Sequence, residues 1–556
     1  MLVRVFLPSR DPVSSFETKF ALKQDKWNDY SFQTLYHLSY RRLTKKGHNV
    51  VFIGGVKILR IGQTESDGIQ IQEDFDQLGS EFCSIGTSLD YYQRLNSLPE
   101  LDRNAILKAL RDVIANPELQ SKFSVERGWA KSLFRDDDNP SAFISDATAI
   151  YSGNFSDLPD LTGHFSFEIA GGSGDLRFDF NAPEPDFYFG SWRRLGPGKH
   201  KVLLPRRMVV IVGRNGSGKS TLLSRLARVA FASPAERQDP ELQALGVFKP
   251  NGIGFMRIIA ISYSAFDSFI VPGVYEDDLR QIAEDIEEGE GRYVHCGLRD
   301  TVAEVREDLS KSEAVGSIPD ERRKVSTEER RTSTHLKSLD RLADEFSHLM
   351  RKIRIAGQLE LFNFAIEPLL SDPSFNDLEF DTDRLVDDGA RDAFLSWSTG
   401  HKIALHVVAS LVARATRRSL VLFDEPEMHL HPPMIAALMH AVRIVLEELD
   451  AFAIVATHSP VVLQETLARH VLVIRRHGGS FTVHQPELET FGENVGILTY
   501  DTFGLTASST DFHRILDLLI EGCDSPEQVE ALFSPGLSGQ ARAFVMAGFA
   551  AKGRKS

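Results

Sequence analysis

Apolar and polar positions follow three patterns along this chain. Short unbroken apolar runs stand at Met208 to Val212, Leu420 to Phe423 and Ala453 to Ala456, and a further strand is read at Met256 to Ser262. Runs of this length without alternation predict buried strands of the kind found in a parallel sheet. Longer apolar patterns at Leu222 to Ala230 and Ile403 to Ala413 predict helices. Strict alternation appears in HFSFEI and LRFDFN, inside Leu161 to Pro205, and predicts antiparallel strands leading into the run at Met208.

The ends and the middle of the chain are less sharply patterned. Short strands are expected at Asn49 to Ile53 and Lys57 to Ile61, then a helix from Asp102 to Ile114. Leu339, Leu342, Phe346, Leu349 and Ile353 recur at steps of three and four, which puts one apolar stripe on an otherwise charged helix. That stripe needs a partner: either a neighbouring helix of the same segment, or another molecule docked on a short antiparallel arm. The last stretch predicts helices around His513 to Ile520 and Glu527 to Phe533, followed by a basic, disordered tail, AKGRKS. Asp136 to Asp138, before Asn139 and Pro140, read as a solvated loop.

The first candidate chemistry sits where the Met208 strand meets the Leu222 helix. Residues Gly213 to Thr221 read GRNGSGKST and satisfy the phosphate-loop pattern GxxxxGK[ST]. Backbone N–H groups of such a turn and the positive end of the helix dipole converge on one point, which favours a polyphosphate. Arg214, Asn215, Gly216, Ser217, Gly218, Lys219, Ser220 and Thr221 are therefore the expected nucleotide-binding residues. Gly216 and Gly218 let the backbone curl round phosphate oxygens, Lys219 supplies a cation, and Ser220 offers a hydroxyl to Mg²⁺.

Two further strands end in polar groups. The Leu420 strand ends in Asp424 and Glu425, putting two carboxylates at the carboxyl edge of a parallel sheet. Asp424 is expected in the metal shell with Ser220, and Glu425 is expected to orient or deprotonate an attacking water. The Ala453 strand ends in Thr457, His458 and Ser459, and His458 is the candidate for a γ-phosphate contact. Trp397 to Lys402, WSTGHK, precede the Ile403 helix and make a second potential anion site, surplus to the first loop unless it serves another molecule. The simpler reading is a helix cap by Ser398 or Thr399.

With these motifs the chain resembles the ABC-type ATPase superfamily, in which the signature of one subunit completes the nucleotide site of another. WSTGHK resembles a variant of the LSGGQ signature: Ser398 and Gly400 match it, Thr399 replaces a Gly, and His401 stands where Gln or Glu is usual. The resemblance implies that Ser398, Gly400 and His401 contact nucleotide in trans. No Q-loop glutamine follows the strand at Met256 to Ser262; Ser264 and Asp267 are the available substitutes. EPEMHLHP, ATHSPVVLQE and FGENVGILT together resemble the soluble group containing RecF, SMC and overcoming-lysogenization proteins. Phe491 to Leu505 is most similar to the Septu anti-phage ATPases of PtuA type, which also occur beside some retrons.

The fold class implied is α/β: a P-loop ABC-type ATPase head with a mixed or parallel sheet core, an antiparallel β subdomain and a helical insertion. The expected organisation is an N-terminal α+β region of unreadable role at 1–159 and the first part of the head at 160–274. A charged helical insertion follows at 275–389, the second part of the head at 390–505, and a helical extension at 506–556. The cofactors implied are ATP and Mg²⁺. The partners implied are a second copy, joined through the heads and extensible to a higher oligomer, an HNH-type nuclease subunit, and nucleic acid such as retron or phage DNA. The inserted helices around Leu339 to Ile353 are the expected docking surface for the nuclease. A stand-alone DNA-repair ATPase of RecF type and a slowly hydrolysing ATP-sensing scaffold are the rival readings.

Composition narrows this without deciding it. The chain has 556 residues, 42% hydrophobic and 25% charged, enough for two or more domains. It lacks a run of about eighteen apolar residues and a signal-peptide pattern at MLVRVFLPSR, so a cytoplasmic protein outside the membrane is expected. Cys83, Cys296 and Cys523 are too scattered for a disulfide scaffold or a zinc site. A net charge of −15 disfavours whole-surface attraction to DNA, leaving local patches such as Arg322, Arg323, Lys324, Arg330 and Arg331, or Arg351, Lys352 and Arg354.

Overall fold

A computed structural model describes residues 2–7, 16–25, 32–44, 47–87, 89–96, 98–134, 140–152, 164–169, 175–182, 204–232, 237, 239–249, 253–272, 291–314, 330–331, 333–375, 382, 385, 389–477, 480–503 and 511–552. Asp136 to Asp138, Arg322 to Lys324, Leu505 and the final GRKS lie outside them.

The N-terminal region folds on its own sheet of β1 (Val3–Phe6), β2 (Phe20–Gln24), β3 (Leu35–Thr44), β4 (Gly47–Arg60) and β5 (Phe82–Gly86), adjacent in that order. The two short strands expected at 49–61 are one continuous strand, β4. Gly54 accounts for the difference: its φ of +146° stands where the β3–β4 register shifts, so the glycine marks a bulge within a strand and not a break. Helices α1 (Leu89–Asn96), α2 (Glu100–Leu110) and α3 (Pro140–Ser152) accompany this sheet. The helix predicted to reach Ile114 stops at Leu110 because Arg111 turns left-handed, φ +54°, and its N–H caps the last turn.

The larger sheet has the order β11-β10-β12-β13-β8-β14-β15. It comprises β8 (Met208–Gly213), β10 (Ile258–Ser262), β11 (Tyr293–Gly297), β12 (Leu420–Asp424), β13 (Phe452–Thr457), β14 (Val471–His477) and β15 (Ser480–His484). All neighbours are parallel except the β14–β15 hairpin. Successive residues of each central strand feed opposite layers. Val209, Ile211, Leu420, Leu422, Ile454 and Ala456 join one core, and Val210, Val212, Val421, Phe423, Ala453 and Val455 join the other. Burial on both faces is why these strands read as unbroken apolar runs.

One face is covered by α4 (Lys219–Phe231) and by an antiparallel sheet β7-β6-β9, formed by β6 (His164–Glu168), β7 (Asp175–Asp179) and β9 (Val247–Lys249). Phe165, Phe178 and Phe248 from the three strands pack ring against ring. After β11 come α5 (Thr301–Ala314), α6 (Leu339–Ile355), α7 (Leu359–Leu370), α8 (Ala390–Ser396), α9 (Thr399–Arg414) and α10 (Pro432–Glu448). Of these, α6 to α10 build the opposite layer. The α/β architecture expected from the sequence, with a parallel core, an antiparallel β subdomain and helices, is present.

The middle segment differs from the expectation. Tyr293–Gly297, inside the stretch read as a charged helical insertion, is an edge strand of the main sheet, paired in parallel with β10. The stripe on α6 is no arm either. Leu342, Phe346, Leu349 and Ile353 are buried against α8 and α9, with Phe346 stacked on Phe394 at 5.2 Å and edge-on to Trp397 at 5.5 Å. Only Leu339 of the five is exposed, so the stripe belongs to the core and is not a docking surface for a partner.

Beyond the sheet, α11 (Pro460–Gln464) follows β13 and α12 (Val495–Phe503) lies in the FGENVGILTY segment. The C-terminal extension forms α13 (Asp511–Gly522), α14 (Pro526–Glu530) and α15 (Gly539–Lys552), sharing a small core of Leu516, Ile520, Val529, Leu537 and Val545. The basic tail was expected to be disordered from Ala551, but Ala551 and Lys552 end α15. Lys552 Nζ donates to the carbonyls of Ile520 at 2.9 Å and Glu521 at 3.1 Å, satisfying the end of α13. Among the described residues no helix is long and apolar enough to cross a membrane.

Candidate nucleotide site

The parallel register brings three polar strand ends to one edge. Ser262 pairs with Asp424, Asp424 with Ala456, and Ala456 with Ile211, so β10, β12, β13 and β8 finish level. At the end of β8 the chain makes a turn that only glycine accommodates easily: Gly216 and Gly218 have φ of +78° and +95°. No atom lies within 4 Å of where a Cβ would stand on either, so the loop leaves open space above itself. Gly213 is different, since a Cβ there would meet the Ile474 carbonyl at 2.5 Å; it is a packing glycine.

Arg214, Asn215 and Gly216 are exposed at the lip of this space, Ser217, Ser220 and Thr221 are half-buried, and Lys219 is buried. Lys219 Nζ donates to the Gly213 carbonyl at 3.0 Å and reaches His458 Nε2 at 2.8 Å. Burial lowers the Lys219 pKa, and Glu425, Asp424 and Glu427 act against that shift. Ser220 Oγ donates to Asp424 Oδ1 at 3.1 Å. Asp424 is raised to about 7, first by burial and then by Glu425 and Asp267, with Ser220 and Lys219 pulling the other way. A carboxyl so placed gains from a hard cation.

Glu425 holds a left-handed backbone, φ +49°, with its N–H donated to the Ala456 carbonyl at 2.8 Å. Its Oε1 lies 3.5 Å from His458 Nε2, and that histidine is the main reason its pKa is lowered. The structure therefore brings Lys219, Ser220, Asp424, Glu425 and His458 into one contiguous cluster.

The donor set fits Mg²⁺ with a nucleotide. A serine hydroxyl and one carboxylate are hard oxygen ligands, and Mg²⁺ ordinarily takes one or two carboxylates together with substrate phosphates and water. Ser217 Oγ is buried in the loop without a hydrogen-bond partner, and both glycines leave room for phosphate oxygens.

WSTGHK stands apart from this cluster. Ser398 is the N-cap of α9, its Oγ accepting from the His401 N–H at 3.4 Å, so the capping geometry is present. Ser398 and Thr399 are exposed, and Gly400 packs closely on the His429 carbonyl, 3.4 Å from where a Cβ would lie. The His401 ring turns inward, hydrogen-bonded to Ser374 Oγ at 2.9 Å and packed on Phe375 at 4.3 Å. Among the described residues no hydrogen bond or ion pair joins Ser398, Gly400 or His401 to the phosphate loop.

Of the two Q-loop substitutes, Ser264 Oγ accepts from the Phe266 N–H at 3.2 Å and serves the turn. Asp267 receives His295 Nε2 at 3.2 Å and Arg299 Nη1 at 3.4 Å; burial alone would raise its pKa, but these partners hold it below the usual value. Sequence reasoning passed over Glu427, whose carboxylate accepts from Thr457 Oγ1 and from the His458 N–H. The only signal was an extra acid in EPEMHLHP.

Residues 208–464 match the family model described as an AAA domain, putative AbiEii toxin, Type IV TA system. The chain is also similar to Protein ea59 of Escherichia phage lambda, 28% identical over 543 residues, which cover 91% of this chain and 90% of that protein. The matched span runs from the β8 strand through His458, and with the α/β fold it marks a P-loop ATPase domain.

Proposed function

We propose that this chain is an ABC-type ATPase whose heads dimerise on ATP and whose nucleotide state governs a separate effector. The observation that carries the reading is the convergence of Lys219, Ser220, Asp424, Glu425 and His458 at one sheet edge, beside an open glycine turn.

Each residue then has a distinct task. The loop from Arg214 to Thr221 binds the phosphates through backbone N–H groups, with the Lys219 cation among them. Ser220 and Asp424 would hold Mg²⁺, which would offset the negative charge of the phosphates. Glu425, kept ionised beside His458, orients the attacking water or accepts its proton. His458 touches both Lys219 and Glu425 and so links the phosphate-binding cation to the base. The N-terminus of α9, where Ser398 and Thr399 are exposed beside the half-buried Gly400, is the surface through which a second copy completes the site, in keeping with the resemblance to the LSGGQ signature. His401 supports that surface from inside the head.

The effector assignment rests on resemblance to Septu-type ATPases alone: an HNH-family nuclease in anti-phage defence, with retron or phage DNA as the nucleic acid. The test is to purify the chain, follow ATP hydrolysis with Mg²⁺, and measure the mass of a Glu425→Gln variant by light scattering with and without ATP. Turnover by the wild type and an ATP-dependent doubling of mass in the variant are expected. A mass that ATP leaves unchanged sinks the head-dimer reading, and failure to bind ATP sinks the whole. Turnover stimulated by DNA without any second protein would favour the DNA-repair alternative.

A further inference from the structure

Glu427 lies two residues past the candidate base and is hydrogen-bonded at both carboxylate oxygens. Oε2 accepts from Thr457 Oγ1 at 2.8 Å, and Oε1 accepts from the backbone N–H of His458 at 2.5 Å. Thr457 Oγ1 in turn accepts from the Ser459 N–H at 2.8 Å, and Ser459 Oγ accepts from the Val461 N–H at 3.2 Å at the start of α11. Glu427 thus bonds two consecutive residues at the exit of β13, directly before the turn that opens α11.

The turn that presents Glu427 is built for reach. Glu425 is left-handed at φ +49°, Met428 N–H closes back on the Glu425 carbonyl at 3.1 Å, and Leu430 N–H donates to the Glu427 carbonyl at 3.2 Å. This tight turn brings the carboxylate of Glu427 from the tip of β12 under the tip of β13, its neighbour in the sheet. What it holds there matters for chemistry. The ring of His458 is 2.8 Å from Lys219 Nζ and 3.5 Å from Glu425 Oε1, and the backbone that carries the ring is bonded to Glu427.

We infer that Glu427 is a positioning residue for ATP hydrolysis: by accepting from the Thr457 hydroxyl and the His458 N–H, it sets the His458 ring between Lys219 and Glu425. This rests on the assignment of hydrolysis to that cluster. Charge-assisted bonds to two donors on consecutive residues define both the height and the rotation of the peptide, which one neutral acceptor does not. Glutamine keeps one acceptor oxygen of the two, and alanine keeps none. Displacement of a reacting group by about 1 Å costs on the order of 100-fold in rate.

The experiment is a double-mutant cycle on the full chain with Glu427→Ala, Glu427→Gln, His458→Ala and the Glu427→Ala/His458→Ala pair. Steady-state ATP hydrolysis and binding of a fluorescent ATP analogue are both measured. Glu427→Ala is expected to lower kcat about 100-fold. Analogue affinity should stay within about threefold of wild type, because the phosphate loop is untouched. Glu427→Gln, which preserves volume and so guards against misfolding, should fall between the two. In the His458→Ala background the Glu427→Ala change should cost nothing further, since a residue acting only through His458 has nothing left to position.

Wild-type kcat in Glu427→Gln and Glu427→Ala overturns the role, and so do losses that multiply in the double variant. A merely structural Glu427 would lower affinity and melting temperature along with kcat, which also counts against it. Absence of turnover in the wild type, or normal turnover by His458→Ala, overturns the site assignment itself and is recognised before Glu427 is considered.

Discussion

Ser220 and Asp424 meet at 3.1 Å although 204 positions separate them. The strand that leads into the helix of Ser220, β8, and the strand that carries Asp424, β12, are not neighbours, because β13 runs between them. The contact therefore crosses the carboxyl edge of the sheet and depends on α4 starting directly over it. Two residues that sequence motifs alone pair by pattern are paired here by the level register of three strands, which also delivers His458 from the middle one.

That arrangement separates binding from chemistry. Lys219→Ala removes the buried cation of the loop and should weaken ATP binding by about 2 kcal/mol or more, roughly thirtyfold in Kd. Glu425→Gln leaves the loop and the Ser220–Asp424 pair in place and should bind ATP normally while losing 100-fold or more in kcat, as an order of magnitude for a general base. Titration calorimetry and phosphate release measure the two quantities. Equal affinity of Lys219→Ala and wild type counts against the phosphate-loop assignment, and normal turnover by Glu425→Gln removes Glu425 from its role.

A buried histidine behind the site makes stability depend on pH. His406 of α9 accepts or donates at Nδ1 to Tyr263 Oη across 2.6 Å, and Cys296 Sγ is 3.7 Å away. On its other side stands Glu345, itself bonded to Lys337 at 2.7 Å and to Arg414 at 2.9 Å. Burial lowers His406 to about 4; Glu345 acts to raise it, and Lys337 and Arg414 lower it further. The unfolded chain then binds a proton from about pH 6.5 downward while the folded one stays neutral to about 4. The stability linked to this group is present above pH 6.5 and is lost progressively as pH falls to 4, up to about 3 kcal/mol. Urea unfolding at a series of pH values should show a His406→Gln variant losing less stability over that window than the wild type. Parallel curves would mean that His406 takes up its proton in the fold at the same pH as in the unfolded chain.

Legibility followed burial. The strands at Met208, Leu420 and Ala453 were plain in the sequence because both faces are covered, which leaves no polar position to confuse the pattern. Strand β11 was not, since Tyr-Val-His-Cys-Gly carries a buried histidine at its centre whose Nε2 meets Asp267 from a loop. The cluster of Lys219, Ser220, Asp424, Glu425 and His458 could be named in advance because each ends or follows a readable strand. Glu427 could not, because its bonds to the Thr457 hydroxyl and to a backbone N–H are tertiary, and neither leaves a spacing signal. The stripe on α6 was legible as a stripe, but what covered it was not: periodicity identifies an apolar face and is silent on whether a partner or the chain itself buries it.

The α6 stripe can be tested as core. Phe346 is fully buried and touches both Phe394 and Trp397. Phe346→Ala should destabilise the chain by about 3 to 5 kcal/mol through lost contacts and a cavity. The exposed Leu339→Ala, by contrast, should change stability by less than about 0.5 kcal/mol. Denaturant melts of both variants decide it. A Phe346→Ala protein as stable as wild type would return the stripe to the surface and reopen it as a docking face.

The N-terminus of α9 can be tested through Gly400. Within one chain Gly400 lies against the His429 carbonyl, and among the described residues no hydrogen bond joins it to the phosphate loop, whereas Ser398 and Thr399 beside it are exposed. A signature that works across a dimer interface should therefore be dispensable for binding by one head and needed for hydrolysis by two. Gly400→Trp should bind ATP within about threefold of wild type and lose hydrolysis, as expected for a change that spares ground-state binding. Because a Cβ at Gly400 would already touch the His429 carbonyl at 3.4 Å, Gly400→Ala is the milder control for folding. Mixing Gly400→Trp with Lys219→Ala chains provides the sharper readout. In a head-to-tail pair the intact loop of the first and the intact signature of the second meet in one composite site, so each inactive protein should rescue half of the sites in mixed dimers. Phosphate release should rise on mixing and follow the fraction of mixed dimers. Two inactive proteins that stay inactive together, or a Gly400→Trp chain that hydrolyses ATP alone, would leave Ser398 with no task except capping α9.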